Sequence, residues 1–323
     1  MHQLVSGVDK NPEMNTLTQA KLTVVSSRLE RVRRIHAFMI LVPPLFGAAL
    51  AGWLAWERGV STTALVLLGV FFYWTFIGIT VGYHRHFTHR SFQSPAVVRF
   101  LLGVAGSMAC QGPVNYWVSN HRRHHMFTDK DQDIHSPHVF RSRTLQFWSG
   151  FWHSHVAWTF NHQISNTAVA APDLLRDPVA RRVNATYYVW VALSFLLPTA
   201  IGGLMAHSWY GALEGLLWGG AVRLVLSYHW INTITSLAHM FGYQDFDNGD
   251  QSRNNIWLSI PTMGESWHNN HHSFPGSAAF GLRWWQIDLG LYVIYGLKVF
   301  GLARDIKRPP AQLIAQKSFN KAA

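Results

Sequence analysis

Residues 62–89, TTALVLLGVFFYWTFIGITVGYHRHFTH, join an uncharged apolar run directly to three histidines. The run from Thr62 to Gly82 is close to the about 20 apolar residues that a helix needs to cross the hydrocarbon core of a bilayer. The histidines His84, His86 and His89 follow at once. This stretch therefore predicts a membrane-spanning helix that ends in potential metal ligands at one membrane face.

Three further apolar stretches extend this prediction along the chain. They cover about residues 36–56, 187–205 and 209–230, and each is near the length of a membrane span. Only short turns separate the first stretch from the run described above, and the last two stretches from each other, so we expect two transmembrane hairpins. Two other apolar segments, 97–114 and 284–303, contain charged residues, and we expect both to lie on or just under the membrane face.

The overall composition excludes most soluble classes of protein. Hydrophobic residues make up 49 % of the 323 residues and charged residues 13 %, against about 25 % charged in soluble domains. The net charge of +11 would suit nucleic acid or an anionic membrane surface, and the apolar stretches favour the membrane. The single cysteine excludes a disulfide within the chain and a cysteine-ligated metal cluster.

The positive charges predict the orientation in the membrane. Lysine and arginine are concentrated in residues 1–35, 83–186 and 231–323, and only Arg58 and Arg223 lie elsewhere. With an even number of spans these three regions share one side, which the positive-inside rule assigns to the cytoplasm. Arg223 falls inside the fourth predicted span, where a charge is costly unless it is paired.

The predicted fold class is an all-α integral membrane protein with four transmembrane helices in two hairpins and a cytoplasmic helical cap. We predict a basic N-terminal segment over residues 1–35, a main domain over 36–303 and a basic C-terminal tail over 304–323. Within the main domain, the cap consists of residues 83–186 and 231–303. Both termini then lie in the cytoplasm.

The histidines fall into three groups and one isolated position. The groups are His84-Arg-His-Phe-Thr-His89, His121-Arg-Arg-His124-His125 and His268-Asn-Asn-His271-His272, and the isolated residue is His239. On a helix, positions i, i+3 and i+4 lie within about 100° of one face, so each H-x-x-H-H could aim three imidazoles at one point. His84 and His89 are about 140° apart on an α-helix, which would suit a helix end. His86 is expected to point elsewhere.

The topology brings these groups to one membrane face. The first group ends the second span, no span separates it from the second group, and a complete hairpin returns the chain before His239 and the third group. Nine imidazoles exceed the capacity of one metal ion, so we predict two ions with four or five ligands each. Imidazole suits iron, zinc, copper and nickel, and ligand type alone does not choose among them.

Nearby carboxylates are candidates to orient the histidines. Asp129, Asp131 and Asp133 are spaced like part of a calcium loop, but Ile134 stands where that loop needs glycine. We expect these aspartates, and Glu265 three residues before His268, to accept the N–H groups of ligating histidines.

At this point the sequence resembles a known family. The motifs H-R-H-F-T-H, H-R-R-H-H and H-N-N-H-H are similar to those of the membrane-bound fatty acid desaturases of the delta-9 acyl-CoA, stearoyl-CoA-like type, and the flanking residues are similar over about residues 36–300. The resemblance implies four spans, two iron ions at the cytoplasmic face and O₂-dependent insertion of a cis double bond. The ligands that it implies are His84, His89, His121, His124, His125, His239, His268, His271 and His272.

The resemblance also implies the partners. The substrate would be a long-chain fatty acyl-CoA or acyl-lipid held among membrane lipids, with no nucleic acid involved. The chain has no haem or flavin signature, so a separate protein would donate the electrons. The metal centre, and no catalytic side chain, would perform the chemistry.

One position departs from the family. The family has asparagine four residues before the isolated histidine, where it holds a water beside the metal, and this chain has Thr235. A threonine hydroxyl can also bind water, with a different reach. Asn232, seven residues before His239, is the alternative.

Other functions remain open at this stage. A related di-iron membrane hydroxylase or oxygenase acting on an alkyl or lipid substrate would use the same ligands. A metal transporter would need ligands within the spans, where this chain has almost none. A purely structural role would leave the histidine groups unexplained.

Overall fold

The computed structural model describes residues 21–139 and 146–319. Helices make up most of this part of the chain, which confirms the predicted all-helical class. Residues 1–20 of the predicted N-terminal segment and 320–323 of the predicted tail lie outside the described residues.

The helical elements of the described residues are numbered here in chain order. In chain order they are α1 (Ser27–Arg58), α2 (Thr62–Ile77), the π-helical segment π1 (Gly78–Thr88), α3 (Ala96–Met108), α4 (Val114–Phe127), α5 (Gln146–Trp152), π2 (His153–Ala157), α6 (Trp158–Asn161), α7 (Thr167–Ala170), α8 (Pro172–Arg176), α9 (Pro178–Ala185), α10 (Tyr187–Ala206), α11 (Trp209–Glu214), π3 (Gly215–Val222), α12 (Arg223–Thr235), α13 (Leu237–Met240), α14 (His268–Ser273), α15 (Leu289–Val299) and α16 (Ala311–Lys317). A 3₁₀ turn covers Ile256–Leu258. Strand β1 (Thr23–Val24) pairs antiparallel with β2 (Ile164–Ser165).

Three helices in the described residues are long and apolar enough to cross a membrane. They are Ser27–Arg58, Thr62–Thr88 and Tyr187–Ala206, which agree with three of the predicted stretches. The fourth stretch, 209–230, is continuously helical through α11, π3 and α12, but it is not one of these three candidates. The fourth span therefore stays a prediction. The two other apolar segments contain the shorter helices α3 and α15.

Polar side chains mark where the membrane helices begin. Ser26 accepts a hydrogen bond from the Leu29 amide at the start of α1, and Ser61 accepts one from the Ala64 amide at the start of α2. Serine is favoured at this position because it satisfies an amide that has no partner within the helix. The Pro43-Pro44 pair lies inside α1.

Arg223 is fully buried, and its charge is compensated by backbone carbonyl groups. Its guanidinium donates to the carbonyl oxygens of Met108 and Ser194, both at 3.1 Å, and of Gly219 at 3.2 Å. Glu214 instead accepts a hydrogen bond from the Ser61 amide. Carbonyl groups from three elements thus replace the water that this charge has lost.

The packing of π1 sets the direction of the first histidine group. Tyr83 and Phe87 on π1 pack in one buried cluster with Val114 and Val118 of α4. Gly78 of π1 also packs closely against α3. A Cβ atom added to this glycine would lie only 2.1 Å from the backbone of Ala105. Since π1 is held by α3 and by α4, the histidines that it carries face the second histidine group.

Candidate metal centre

Unusual helix winding brings the first two histidines together. In π1 the backbone bonds run from residue i to i+5, and the His89 amide donates to the His84 carbonyl at 3.1 Å. Residues five apart therefore lie nearly one above the other, and the two imidazole centroids are 5.0 Å apart. The expected separation of about 140° on an α-helix does not apply to this segment.

Five imidazoles form one cluster, here called cluster one. Their ligating nitrogen atoms all lie within 4.8 Å of one another, and the members are His84, His89, His121, His125 and His271. The Nε2 atom of His271 is 3.0 Å from Nε2 of His84 and 2.9 Å from Nε2 of His125. All three histidine groups contribute to cluster one.

Four imidazoles form a second cluster beside it, here called cluster two. Its members are His124, His239, His268 and His272, whose ligating atoms also lie within 4.8 Å of one another. The Nε2 atoms of His239 and His268 are 3.0 Å apart. The isolated histidine of the sequence thus joins residues of the second and third groups.

The expectation that each H-x-x-H-H aims at one point is wrong. In α4, His121 and His125 point into cluster one, and His124 points into cluster two. In α14, His268 and His272 belong to cluster two, and His271 belongs to cluster one. The reason is angular: residues four apart differ by about 40° around the helix, and the residue between them is 60–100° away.

Each of four histidines gives its Nδ1–H to a buried carboxylate. His84 donates to Glu265, His124 to Asp133 at 2.9 Å, His239 to Asp129 at 3.1 Å and His272 to Asp250 at 2.9 Å. A carboxylate on Nδ1 fixes the ring and its tautomer, so Nε2 is left with a free lone pair for a metal.

The carboxylates match the sequence expectations in part. Asp129, Asp133 and Glu265 lie where the sequence analysis expects them. Asp131 is exposed, and no histidine in the described part of the chain contacts it, so the structure does not give it the expected role. Asp250 was missed, because it is 22 residues from His272 and no local spacing connects the two.

Electrostatics favour the neutral form, which can bind a cation, in six of the nine imidazoles. Burial, followed by the repulsion of neighbouring imidazoles, holds the pKa well below its ordinary value in His89, His121, His125, His268, His271 and His272. Burial alone would raise the pKa of Asp129, but the attraction of His239 outweighs it and lowers that pKa. Neutral imidazoles and ionised carboxylates are the forms that metal binding requires.

The residues fit a pair of metal ions. The Nε2 atoms of His89, His124 and His272 are buried and have no hydrogen-bond partner among the described residues. Elsewhere in the clusters, ring nitrogen atoms face one another at about 3 Å, as the Nε2 atoms of His239 and His268 do. A cation between such lone pairs removes both the repulsion and the unsatisfied acceptors.

A buried arginine contacts Glu265, the carboxylate that accepts a hydrogen bond from His84 of cluster one. Arg85 binds Glu265 at 3.2 Å and Asp288 at 2.8 Å, and it also contacts Thr80. Its guanidinium carbon lies 3.8 Å from the centre of the Phe280 ring. The chain of contacts Asp288–Arg85–Glu265–His84 links the segment before α15 to a ligating histidine.

A cavity of about 520 Å³ opens beside cluster one. His121 of cluster one, Asn232 and Thr235 are among its lining residues, and Trp158 and Tyr228 add aromatic walls. Thr235 donates to the Ser154 carbonyl at 2.7 Å and contacts the Asn232 carbonyl at 3.1 Å. The side-chain amide nitrogen of Asn232 is buried without a partner among the residues that the structure describes.

Other histidines stand apart from the two clusters. His86 points away, and its Nε2 lies 3.0 Å from the Ser94 hydroxyl. His155 and His229 pair with each other at 3.0 Å. His135 is the exception, because it lies beside His124 of cluster two and Asp133 in a third group of possible ligands.

Comparisons with known proteins agree with this site. Residues 60–290 match the fatty acid desaturase family. The chain is 43 % identical to the hex-5-enoyl-[acyl-carrier protein] acetylenase of Moorena producens over 93 % of this chain and 94 % of that protein. It is 38 % identical to delta-9 acyl-lipid desaturase 1 of Arabidopsis thaliana over 72 % of each chain. It is also 33 % identical to the sn-1 stearoyl-lipid 9-desaturase of Anabaena variabilis over 88 % of this chain and 98 % of that enzyme.

Proposed function

Because this chain belongs to the fatty acid desaturase family, we propose that it is an O₂-dependent di-iron enzyme that introduces a cis double bond into an acyl chain. Like its relatives it is an oxidoreductase of lipid metabolism. Its candidate membrane helices make it a membrane protein. We further propose that residues 209–230 form the fourth span and that the metal centre and both termini are cytoplasmic.

The observation that carries the proposal is the division of nine histidines into groups of five and four. Two ions with these nitrogen ligands would account for all of them. Imidazole would also bind zinc or copper, so the choice of iron rests on the family. Bound iron would supply the oxidising power that removes two hydrogens from an unactivated pair of methylene groups.

The side chains of this chain would provide the geometry. The nine imidazoles hold the ions, and Glu265, Asp129, Asp133 and Asp250 orient four of those rings. The cavity beside His121 would place one carbon–carbon bond of the acyl chain next to cluster one and keep water away from it. Electrons would come from a separate donor protein.

The first candidate reaction is delta-9 desaturation of a long acyl chain carried by coenzyme A or by a lipid. Two of the relatives named above support it, because their names specify the ninth position on lipid-bound chains.

The second candidate reaction is the conversion of a double bond to a triple bond. It is favoured by the 43 % identity to the acetylenase, which extends over nearly the whole of both chains. Such a reaction would use the same metal centre and an acyl chain that already carries a double bond.

The test is to purify the protein in lipid nanodiscs, load it with iron and analyse both metal and products. We expect close to two irons per chain and O₂-dependent loss of two hydrogens from a supplied acyl chain, with the new bond located by mass spectrometry. His272→Ala should lose iron and activity. The matched control is His207→Asn, which changes an exposed histidine and suits the left-handed backbone there.

Three outcomes would contradict the proposal. One is full activity with a single ion per chain. Another is a hydroxylated product without any unsaturated one. The third is equal loss of iron in His207→Asn and His272→Ala.

A further inference from the structure

The outer end of the cavity beside His121 is marked by exposed apolar residues. Leu29 and Val32 of α1, Leu175 of α8 and Tyr188 of α10 all line the cavity and are exposed. The inner end is lined by His121, a member of cluster one. The cavity therefore connects the molecular surface with the candidate metal centre.

Exposed arginines are close in the sequence to several of the residues that line this mouth. Arg28 and Arg31 flank Leu29 and Val32 along α1, and Arg176 directly follows Leu175. Arg181 precedes the lining residue Asn184 by one turn of α9, which puts both on one face of that helix.

These four arginines, here called the mouth cations, keep their charge for a partner. None of them forms an ion pair within the described part of the chain. Glu30 lies between Arg28 and Arg31 in the sequence, but basic residues outnumber it in the first turns of α1. Of the acidic residues near Arg176 and Arg181 in the sequence, Asp173 binds Arg90 and Arg122, and Asp177 binds Arg99.

The mouth lies at the first turns of two candidate membrane helices, α1 and α10, and on the short helices α8 and α9. Helix α1 has 32 residues and is about 48 Å long, against about 30 Å of hydrocarbon, so its first turns extend beyond the core. Helices α8 and α9 are short and polar elements of the cap. A water-soluble protein could reach such a mouth, whereas a lipid-borne chain enters from within the bilayer.

We infer that the mouth cations dock an acidic acyl carrier protein, which delivers the acyl chain as a thioester into the cavity beside His121. The inference rests on the proposed desaturase function and names its substrate class. Charge complementarity supports it, since opposite potentials steer and orient two protein surfaces. The 43 % identical relative is named for a carrier-protein substrate.

The experiment compares acyl chains on three kinds of carrier: an acyl carrier protein, coenzyme A and a phospholipid. Enzyme in neutral phosphatidylcholine nanodiscs is given the 5-hexenoyl group on an acyl carrier protein or on coenzyme A, and octadecanoyl phosphatidylcholine in the discs is the lipid-borne alternative. The variants are Arg28→Glu, Arg176→Glu and Arg181→Glu, singly and combined. The control is Lys298→Glu, an exposed cation on α15 that does not line the cavity.

We expect the combined variant to raise the KM for the carrier-borne chain by roughly ten-fold or more, with a smaller effect on the coenzyme A thioester. Added salt should weaken the binding of the carrier protein to the wild type, because screening acts on exposed charges. Lys298→Glu should behave like the wild type.

Direct binding of the carrier protein separates this inference from the proposed function. His272→Ala should still bind the carrier protein although it cannot oxidise the chain. Oxidation of lipid-borne chains without carrier-protein binding would overturn the inference and leave the proposed function intact. Binding without oxidation of any acyl form by iron-loaded wild type would overturn the proposed function. An effect of the variants that appears only in discs with anionic phospholipid would assign the mouth cations to the membrane surface and overturn the inference.

Discussion

At the scale of single residues, Thr235 and Asn232 differ in whether their side chains have a hydrogen-bond donor that is not already used. The Thr235 hydroxyl donates its only proton to a backbone carbonyl, Ser154 O at 2.7 Å. The Asn232 amide nitrogen is buried beside the cavity without a partner among the described residues. Asn232 therefore keeps an amide nitrogen without a hydrogen-bond partner among the described residues, whereas the Thr235 hydroxyl has already used its proton.

We expect Asn232→Leu to lower turnover by roughly ten-fold, since one hydrogen bond at the reacting site is worth about 1–3 kcal/mol. Thr235→Val should instead cost about 1 kcal/mol of stability through the lost bond to Ser154. Turnover and thermal unfolding of both iron-loaded variants are the measurements. A larger loss of turnover in Thr235→Val than in Asn232→Leu would contradict this prediction and would indicate that Thr235 holds the water beside the metal.

Glu265 is a second position where the replacement of one side-chain atom is expected to change metal binding. It accepts from His84 and is paired with Arg85, all three side chains being buried. Glu265→Gln keeps the shape but removes the charge, so His84 loses its anionic partner and Arg85 keeps only Asp288. We expect iron affinity at one of the two sites to fall by about 10–100-fold.

Iron content after dialysis against a chelator measures this prediction without any activity assay. Asp131→Asn is the matched control, because it neutralises an exposed carboxylate that holds no ligating histidine. Equal iron retention in Glu265→Gln and wild type would refute the role of this carboxylate.

At the scale of elements, the close contact of π1 with α3 depends on a missing side chain. A Cβ on Gly78 would meet the backbone of Ala105 and Gly106 at 2.1 Å, and backbone cannot move aside as a flexible side chain can. By contrast, a Cβ on Gly69, in the same continuous helix, meets nothing within 4 Å.

Gly78→Ala should therefore destabilise the protein by about 1–3 kcal/mol and displace His84 from cluster one. Gly69→Ala should be neutral or slightly stabilising, because alanine favours helices by about 1 kcal/mol over glycine. Thermal unfolding in detergent and iron content compare the two variants. If both behave alike, then the contact of π1 with α3 does not position the histidines.

At the scale of the whole molecule, the proposed even number of spans predicts on which side of the membrane each exposed segment lies. The only native cysteine, Cys110, is buried, so new cysteines report on their own positions. Ala168→Cys and Gln312→Cys change exposed residues in the cap and in the C-terminal helix, and Glu57→Cys changes an exposed residue at the first hairpin turn. We expect an impermeant maleimide to reach Glu57→Cys from outside the cell and the other two only after lysis.

The result for Gln312→Cys decides the number of spans. If it is labelled from the side of Glu57→Cys while Ala168→Cys is protected, the number of spans between residues 168 and 312 is odd. In that case the segment 209–230 does not cross the membrane as proposed, or α15 crosses it in addition.

Local properties of the chain were readable from the sequence by itself. Hydrophobic stretches such as 62–82 predict membrane helices because burial in lipid depends on the residues of one segment. The three histidine groups indicate metal chemistry because their number and spacing have few other uses. Their resemblance to the desaturase motifs led to the correct family.

Only the tertiary structure decided how these parts are combined. The division of the histidines between two clusters depends on side-chain angles around α4 and on the π winding that superposes His84 and His89. The contact of Arg85 with Glu265 joins residues 180 positions apart, and the mouth cations come from separate helices. Such contacts join residues that are far apart in the sequence, and they form only when the helices pack together in three dimensions. No local pattern of residues predicts them.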